Sequence, residues 1–120
     1  MSEVKLHVEN LENFFRKAKA AARRIDRGDV RAKPAELSFE SMELLLKVLT
    51  PNRWTLLKRL RAVGPSSVRA LARSLERDYR GVHADVAVLR DVGLIEKRDD
   101  GKVRVPWSRI TAEMSVEMAA

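Results

Sequence analysis

The order of patterns in residues 50–106 constrains the fold of this chain more than any other feature. Three short amphipathic helical patterns follow one another there, and a two-stranded hairpin pattern comes after them. Thr50-Pro51 predicts a helix start, because Thr accepts bonds from first-turn amides and Pro fits the first helical position. Gly64, followed by a proline, ends that helix. Only residues 76–78 separate the second helix from the third, and so short a turn holds two helices at an angle to each other.

Each helical pattern carries an apolar face at helical spacing. The predicted core positions are Trp54, Leu56, Leu57, Leu60 and Val63 in the first helix, Val68, Leu71, Ala72 and Leu75 in the second, and Val82, Val86 and Leu89 in the third. Ser66 or Ser67 is predicted to cap the second helix, and Asp78 to cap the third. Gly93 is predicted to end the third helix in a left-handed conformation.

The opposite face of the third helix is the predicted contact surface. It presents Tyr79, Arg80, His83, Ala84 and Ala87. Small residues at 84 and 87 let a helix sit deeply between groove walls, and Arg80 can fork onto guanine or hold a phosphate. We expect His83 to be neutral and not a metal ligand, since no second ligand lies at helical spacing. Asp85 lies toward the buried side, where we expect a structural ion pair with an arginine of the second helix.

The hairpin that follows is basic. Leu94-Ile95 is predicted to open its first strand, residues 99–101 to form the tight turn, and Val103 and Val105 to lie on the returning strand. Its cations are Lys97, Arg98, Lys102 and Arg104. A basic hairpin directly after an exposed helix is typical of a wing that contacts phosphates, although an ordinary charged hairpin has the same pattern. The segment as a whole predicts a winged helix-turn-helix.

The net charge of +7 is concentrated in the same segment. Residues 51–106 carry 13 Lys and Arg against 7 Asp and Glu, a net charge of +6. Residues 1–28 carry 7 against 4, while residues 29–50 and 107–120 are each slightly acidic. This distribution favours a polyanionic partner such as DNA. A solvated basic surface is the alternative that charge alone leaves open.

The flanking segments predict further strands and helices. Apolar and polar residues alternate in three segments, and each is predicted to be a strand: 4–8, 35–39 and 110–118. His7 falls on the polar side of the first strand and is expected to be solvated. Helical spacing predicts two more helices, over 10–27 and 42–49. The strands are expected to pair with one another or across a dimer, because an isolated strand is not stable.

Apolar residues of these flanks form the predicted surface for a dimer or a protein partner. They are Leu11, Phe14, Phe15 and Ala18 on the first helix, and Ile110, Met114 and Val116 on the last strand. The cations on the other face of the first helix predict either a solvated outer face or a helix that flanks DNA or meets an acidic partner.

Composition argues against several other classes of site. The chain has no cysteine, which removes disulfides, thiolate metal sites and cysteine nucleophiles. No apolar run reaches the ~18 residues of a membrane span, and no signal peptide opens the chain, so the cytoplasm is the expected location. Two distant histidines and no phosphate-binding glycine loop argue against a metal, a cofactor or catalysis. Six aromatic residues do not supply a stacking platform for RNA.

Five runs of the sequence carry a family resemblance: LSFES (37–41), LLKVLTPNR (45–53), GPSSVRALARSL (64–75), RDYRGVHADVAVLRDVGLIEK (77–97) and DGKVRVPW (100–107). Together they resemble the small MarR-like winged-helix regulators of archaea and bacteria, which are often described as antitoxin-like transcriptional regulators. The resemblance extends over most of the chain, including its FF…AARRID helix. It implies a DNA-binding repressor, or the DNA-binding half of a toxin–antitoxin pair that represses its own operon.

The sequence therefore predicts a mainly helical α+β fold with three parts. These are a strand-helix-strand-helix extension at 1–49, the winged helix-turn-helix at 50–106 and a C-terminal strand at 107–120. The expected function is a homodimeric transcriptional repressor that reads the major groove of double-stranded DNA with helix 79–92 and its backbone with the wing 94–105. The predicted DNA contacts are Ser67, Arg69, Arg77, Tyr79, Arg80, His83, Ala84, Lys97, Arg98, Lys102 and Arg104. The alternative is an antitoxin-type module that sequesters a toxin and binds DNA for autoregulation.

Overall fold

The computed structural model describes residues 2–9, 15–16, 18–20 and 35–116, and over these residues the chain has a small α+β fold. In chain order its elements are β1 (Glu3–Val8), β2 (Ala35–Phe39), α1 (Met42–Val48), α2 (Pro51–Val63), α3 (Val68–Leu75), α4 (Tyr79–Asp91), β3 (Glu96–Lys97), β4 (Val103–Arg104) and β5 (Arg109–Ala112). Residues 15–16 and 18–20 are helical, as predicted, and the rest of the predicted helix over 10–27 lies outside the described residues.

The chain forms two compact units. Unit 1 holds Met1–Leu45 together with Ser108–Ala120, and unit 2 holds Leu46–Trp107. The chain thus enters unit 2 within α1 and leaves it directly after Trp107. The side chain of Trp107 donates from Nε1 to the carbonyl oxygen of Gly93 at 3.0 Å, which ties the last residue of unit 2 to the end of α4.

Unit 1 contains a three-stranded parallel sheet in the order β2-β1-β5. Leu6 of the central strand pairs with Leu37 on one side and with Ala112 on the other. Val4 and Leu6 are fully buried, as the alternation of this segment predicts. Of the two predicted arrangements, the strands adopt pairing within the chain.

The prediction of a solvated His7 is wrong. The residue is only 9% exposed, and its Nε2 lies 3.2 Å from the hydroxyl of Ser38 and 3.5 Å from a carboxylate oxygen of Glu36. The alternation correctly places His7 on the polar side of β1. That side is covered nonetheless, because β1 is the central strand and β2 brings its own side chains alongside.

The last strand is shorter than predicted. The alternation continues to Met118, which lies outside the described residues, whereas β5 ends at Ala112. Met114 and Val116 are 55% and 79% exposed. The apolar side chains of this alternating segment are therefore exposed to solvent after Ala112. Alternation reports that one face is apolar, but Ala, Met and Glu are weak strand formers and do not extend the pairing by themselves.

Unit 2 contains α2, α3, α4 and the antiparallel hairpin of β3 and β4. The predicted caps are confirmed, since backbone amides of the first turns donate to the side chains of Thr50, Ser67 and Asp78. Gly93 follows α4 with a φ of 91°, as predicted for a helix stop. The buried residues of unit 2 are Leu56, Leu57, Leu60, Leu71, Ala72, Val82, Val86, Leu89, Leu94, Ile95, Val103 and Val105. Val63 is exposed, contrary to prediction, because it is the last residue of α2.

The turn between α3 and α4 is as short as predicted. Glu76 ends α3 in the left-handed conformation with a φ of 54°. The next amide, that of Arg77, donates to the carbonyl oxygen of Ala72 at 3.0 Å, which satisfies a carbonyl that the end of the helix leaves open. Asp78 then begins α4 as its cap.

The hairpin begins two residues later than predicted and is attached to the start of α3. The amides of Leu94 and Ile95 bond back to the carbonyl oxygen of Leu89 at 2.9 and 3.3 Å, so these buried residues continue the turn after α4 and do not open the strand. Val103 of β4 exchanges two backbone bonds with Ser66, at 2.8 and 3.0 Å. Ser66 therefore forms an antiparallel β-bridge with β4.

Asp85 forms ion pairs with two arginines, and neither lies on the helix that we predicted. Its two carboxylate oxygens lie 3.0 Å from Nε of Arg53 and 2.8 Å from Nη2 of Arg77. Arg53 is in the first turn of α2, and Arg77 is in the turn before α4. The arginines of α3, Arg69 and Arg73, are exposed, because the side of α3 that packs in the core is apolar.

Candidate nucleic-acid interface

One face of α4 is buried and the other is open to solvent. The buried residues are Val82, Val86 and Leu89. The exposed residues include Tyr79, Arg80, His83, Ala84, Ala87 and Arg90. Both sets recur at helical spacing, so the helix packs along one side and leaves a continuous strip of mixed small, aromatic and basic side chains on the other.

A groove of about 310 Å³ runs between this strip, the start of α3 and the hairpin. It is lined by Ser67, Val68, Arg69, Tyr79, His83, Val86, Ala87, Arg90, Lys97, Gly101 and Val103. Three exposed cations therefore converge from three different elements: Arg69 from α3, Arg90 from α4 and Lys97 from β3. None of the three forms an ion pair with another residue of the described part of the chain.

Aromatic contacts organise one end of this groove. The guanidinium carbon of Arg69 lies 5.2 Å from the centroid of the Tyr79 ring, within the range of a cation–π interaction. The Tyr79 and His83 rings are 5.7 Å apart and inclined by 40°. Arg69, Tyr79 and His83 thus form a contiguous stack across the junction of α3 and α4, which we call the Arg69 stack.

The two faces of the hairpin differ in the ion pairs that their cations form. In the β3–β4 register Lys97 pairs with Val103, and Glu96 pairs with Arg104. The first pair is on the groove side, where both residues line the groove. On the second face Arg104 forms an ion pair with Glu96, and Arg98 lies 3.2 Å from a carboxylate oxygen of Asp100. The groove side carries the unpaired cation Lys97, whereas Arg98 and Arg104 of the other face are matched by carboxylates.

The Arg77 side chain is partly buried in unit 2, where it forms an ion pair. Its Nη2 contacts Asp85, and its Nη1 is buried without a hydrogen-bond partner among the described residues. The guanidinium of Arg77 is therefore held by Asp85, and Arg77 is not among the residues that line the groove. Its geometry is that of a residue that holds α4 in place.

The eleven predicted contact residues fall into three groups. Five of them line the groove together: Ser67, Arg69, Tyr79, His83 and Lys97. Three are exposed but are not part of its lining: Arg80, Ala84 and Lys102. Three form ion pairs with carboxylates: Arg77, Arg98 and Arg104.

Arg90 is a lining residue that the sequence analysis missed. It lies three residues after Ala87 and seven after His83, so all three share one face of α4. That spacing is readable in the sequence. The predicted contact surface ended at Ala87, three residues before Arg90.

The residues predicted for a dimer or a protein partner lie in unit 1. Phe15, Ala18, Met114 and Val116 are exposed and Ile110 is half-buried. Leu11 and Phe14 lie outside the described residues. The predicted apolar surface of the last strand is therefore exposed to solvent at Met114 and Val116.

Two other structural features are absent from the described ranges. No group of three or more His, Asp or Glu side chains there has the arrangement to hold a metal ion. No helix in the same part of the chain is long and apolar enough to cross a membrane.

Comparison with known proteins gives one family. No curated protein and no solved structure matches the chain. A family model described as HVO_A0114 matches residues 48–112, more than half of the 120 residues. The match includes α2, α3, α4, the hairpin and β5, and with them every lining residue of the groove. The chain therefore belongs to the HVO_A0114 family.

Proposed function

We propose that this protein is a DNA-binding transcriptional regulator of the MarR-like, antitoxin-like kind, and that residues 50–106 form its winged helix-turn-helix. The observation that carries the proposal is the groove beside α4, where Arg69, Arg90 and Lys97 converge without carboxylate partners. Unpaired cations from three elements around one groove are what a polyanionic ligand requires. The ion-paired arginines of the unit contribute much less to such a surface.

The dimensions of α4 fit the major groove of B-form DNA. Its 13 residues span about 20 Å at 1.5 Å per residue, and the major groove is about 12 Å wide and admits one helix. Ala84 and Ala87 keep the exposed strip shallow at its centre, so that the backbone of the helix approaches the base edges closely. In this arrangement Arg80 and Arg69 contact base edges at the N-terminal end of α4.

The hairpin is the proposed wing. Lys97 and Lys102 are exposed and have no ion-pair partner among the described residues. Because the backbone bonds of Ser66 and Val103 join the hairpin to the start of α3, both lysines are held at a fixed place beside the helices. Their role is to contact phosphates, which supplies affinity without sequence preference.

The regulator is proposed to act as a homodimeric repressor. Exposed apolar residues of unit 1, Phe15, Met114 and Val116, supply the surface for the second copy. Two-fold symmetry then places two α4 helices in half-sites about one helical turn of DNA apart. The oligomeric state is measured by light scattering after size exclusion, with Met114→Ser plus Val116→Ser as the variant expected to be monomeric.

The test of DNA binding is a selection from randomised duplexes followed by a salt titration of the selected site. We expect a palindromic site, and an affinity that falls steeply as salt rises because phosphate contacts release counterions. The variant Arg69→Gln, Arg90→Gln, Lys97→Gln should lose most of the affinity. A matched control, Lys58→Gln, Arg59→Gln, Arg61→Gln, removes the same charge from the exposed side of α2. Equal losses in the two variants, or an affinity that does not depend on salt, would reject the proposed site.

A protein-binding role of unit 1 is the second candidate. The exposure of Met114 and Val116 favours it, because apolar side chains at the end of a sheet are a suitable surface for a partner such as a toxin. Co-purification with the product of the neighbouring gene is the test. The Met114→Ser, Val116→Ser variant should lose that partner and keep its affinity for a single DNA half-site.

A further inference from the structure

We propose that Tyr79 is a positioning residue that holds Arg69 in place to read a guanine in the DNA site. This inference rests on the proposed function and assigns the role of one contact within it. It starts from the placement of the two residues: Arg69 is the second residue of α3, and Tyr79 is the first residue of α4. The short turn between these helices brings them together on one wall of the groove.

The contact restrains the charged end of Arg69 without occupying its hydrogen-bond donors. The guanidinium carbon lies over the face of the Tyr79 ring, 5.2 Å from its centroid, in a cation–π contact. No residue in the described part of the chain accepts a hydrogen bond from the Arg69 guanidinium, so its N–H groups remain available. Arg77 differs in this respect, because Asp85 accepts a hydrogen bond from its Nη2. Arg98 differs as well, because it forms an ion pair with Asp100.

The neighbouring His83 ring also contacts Tyr79. The ring centroids are 5.7 Å apart with an inclination of 40°, a favourable arrangement for two aromatic groups. His83 is one helical turn after Tyr79, so this contact forms as soon as α4 forms. The position of the Tyr79 ring is therefore set by α4, and the position of Arg69 is set by the ring.

A restrained arginine suits base reading better than phosphate binding. A guanidinium donates two parallel bonds to O6 and N7 of guanine, and this match depends on its orientation. A phosphate accepts a cation from many directions, which suits flexible lysines such as Lys97 and Lys102. The restraint on Arg69 lowers the conformational entropy that is lost when it binds a base edge. The geometry thus points to a G·C pair contacted by Arg69.

The first experiment examines the contact without DNA. Tyr79 is the only tyrosine of the chain, so its ring resonances are identified without ambiguity by NMR. Protons at the end of the Arg69 side chain should be shifted upfield by the ring current in the free protein and should move to ordinary values in Tyr79→Ala. Ordinary shifts in the unmodified protein would overturn the inference while leaving the proposed DNA binding intact.

The second experiment measures base discrimination. Affinities of the unmodified protein, Tyr79→Ala, Tyr79→Phe and Arg69→Lys are compared on the selected site and on sites in which each base pair is replaced in turn. We expect Tyr79→Phe to keep the discrimination at one G·C pair, since the ring face remains. Tyr79→Ala and Arg69→Lys should each lose roughly tenfold or more of it at that same pair, and the double variant should lose no more than either single one.

Two results would overturn the inference, and they differ from failure of the proposed function. In the first, Tyr79→Ala keeps full discrimination at every base pair. In the second, it weakens all sequences equally, which would make Tyr79 a phosphate contact. Circular dichroism of Tyr79→Ala verifies that the helix content of the protein is unchanged. If the unmodified protein shows no salt-dependent affinity for any duplex, the proposed function and the inference both fail.

Discussion

Asp85 of α4 accepts a hydrogen bond from Nη2 of Arg77 at 2.8 Å, which ties the middle of the helix to the turn that precedes it. The other oxygen of the carboxylate accepts from Arg53, which also donates to the carbonyl oxygens of Lys47 and Val48 at 2.8 and 3.0 Å. One carboxylate therefore links the end of α1, the start of α2 and the turn before α4. This linkage sets the direction in which α4 presents its exposed face.

Replacement of Asp85 by alanine should destabilise unit 2. Its side chain is 14% exposed, and its removal leaves two partly buried arginines without a counter-charge. We expect a loss of about 3 kcal/mol in the free energy of unfolding, the lower end for breaking a buried ion pair. Both tryptophans of the chain, Trp54 and Trp107, lie in unit 2, so denaturation followed by their fluorescence reports on this unit.

The matched control is Asp91→Asn at the exposed end of the same helix. It removes an equal charge from α4 without touching the arginines, and we expect a change within about 0.5 kcal/mol. If the two variants are equally stable, the ion pairs of Asp85 contribute nothing to the fold.

The two faces of the hairpin should respond differently to loss of a cation. With the proposed DNA binding, Lys97→Gln should weaken binding to all sequences and lower the slope of log affinity against log salt by about one, because one phosphate contact is lost. Arg104→Gln removes the same charge from the face where Glu96 already neutralises it, and the slope should hardly change. Anisotropy titrations at several salt concentrations measure both. Identical slopes for the two variants would contradict the assignment of faces.

The central strand of unit 1 should be sensitive to loss of side-chain volume. Leu6 is completely buried, whereas Val8, two residues later on the same face, is 37% exposed. Leu6→Ala should cost about 2–5 kcal/mol, the range for a large-to-small change in a core, and Val8→Ala much less. Unit 1 contains no tryptophan, so hydrogen exchange of the β1 amides is the suitable measurement. Equal protection of these amides in the two variants would show that Leu6 is not a core residue of the sheet.

Replacement of two glycines of unit 2 by alanine should change the stability of the unit in opposite directions. Gly101 has a φ of 85°, so Gly101→Ala strains the hairpin turn by about 1 kcal/mol even though no atom lies near the added methyl group. Gly81 lies within α4, and a methyl group there would be 3.4 Å from Nη2 of Arg77, an ordinary contact. Gly81→Ala should therefore stabilise the unit by about 0.5–1 kcal/mol through its better helix propensity. Stabilisation by both changes, measured by denaturation, would contradict the left-handed conformation of Gly101.

The helices of unit 2 were predictable because their signals are local. A capping side chain such as Ser67 bonds an amide three residues away, and an apolar stripe repeats within one helix. Such interactions involve neighbours in sequence. The residues that begin a helix, form its apolar face and end it can therefore be recognised without knowing the rest of the fold. The strands were recognised in the same way, by alternation within each segment.

The errors at His7 and Asp85 concern residues whose environment comes from distant parts of the chain. His7 is buried because β2, some thirty residues later, lies beside it. Arg104 is ion-paired and Lys97 is not, because the register places Glu96 opposite Arg104 and Val103 opposite Lys97. Composition counts all these cations alike and does not distinguish the paired from the unpaired.

The sequence by itself determined where the helices and strands lie, which faces are apolar and where the positive charge is concentrated. These properties depend on residue type and spacing over a few positions. The tertiary structure decided which side chains meet: it assigned Asp85 to Arg53 and Arg77, and it brought Arg69, Arg90 and Lys97 to one groove. Contacts between distant segments depend on how the elements pack, and short-range patterns in the sequence carry no record of that packing.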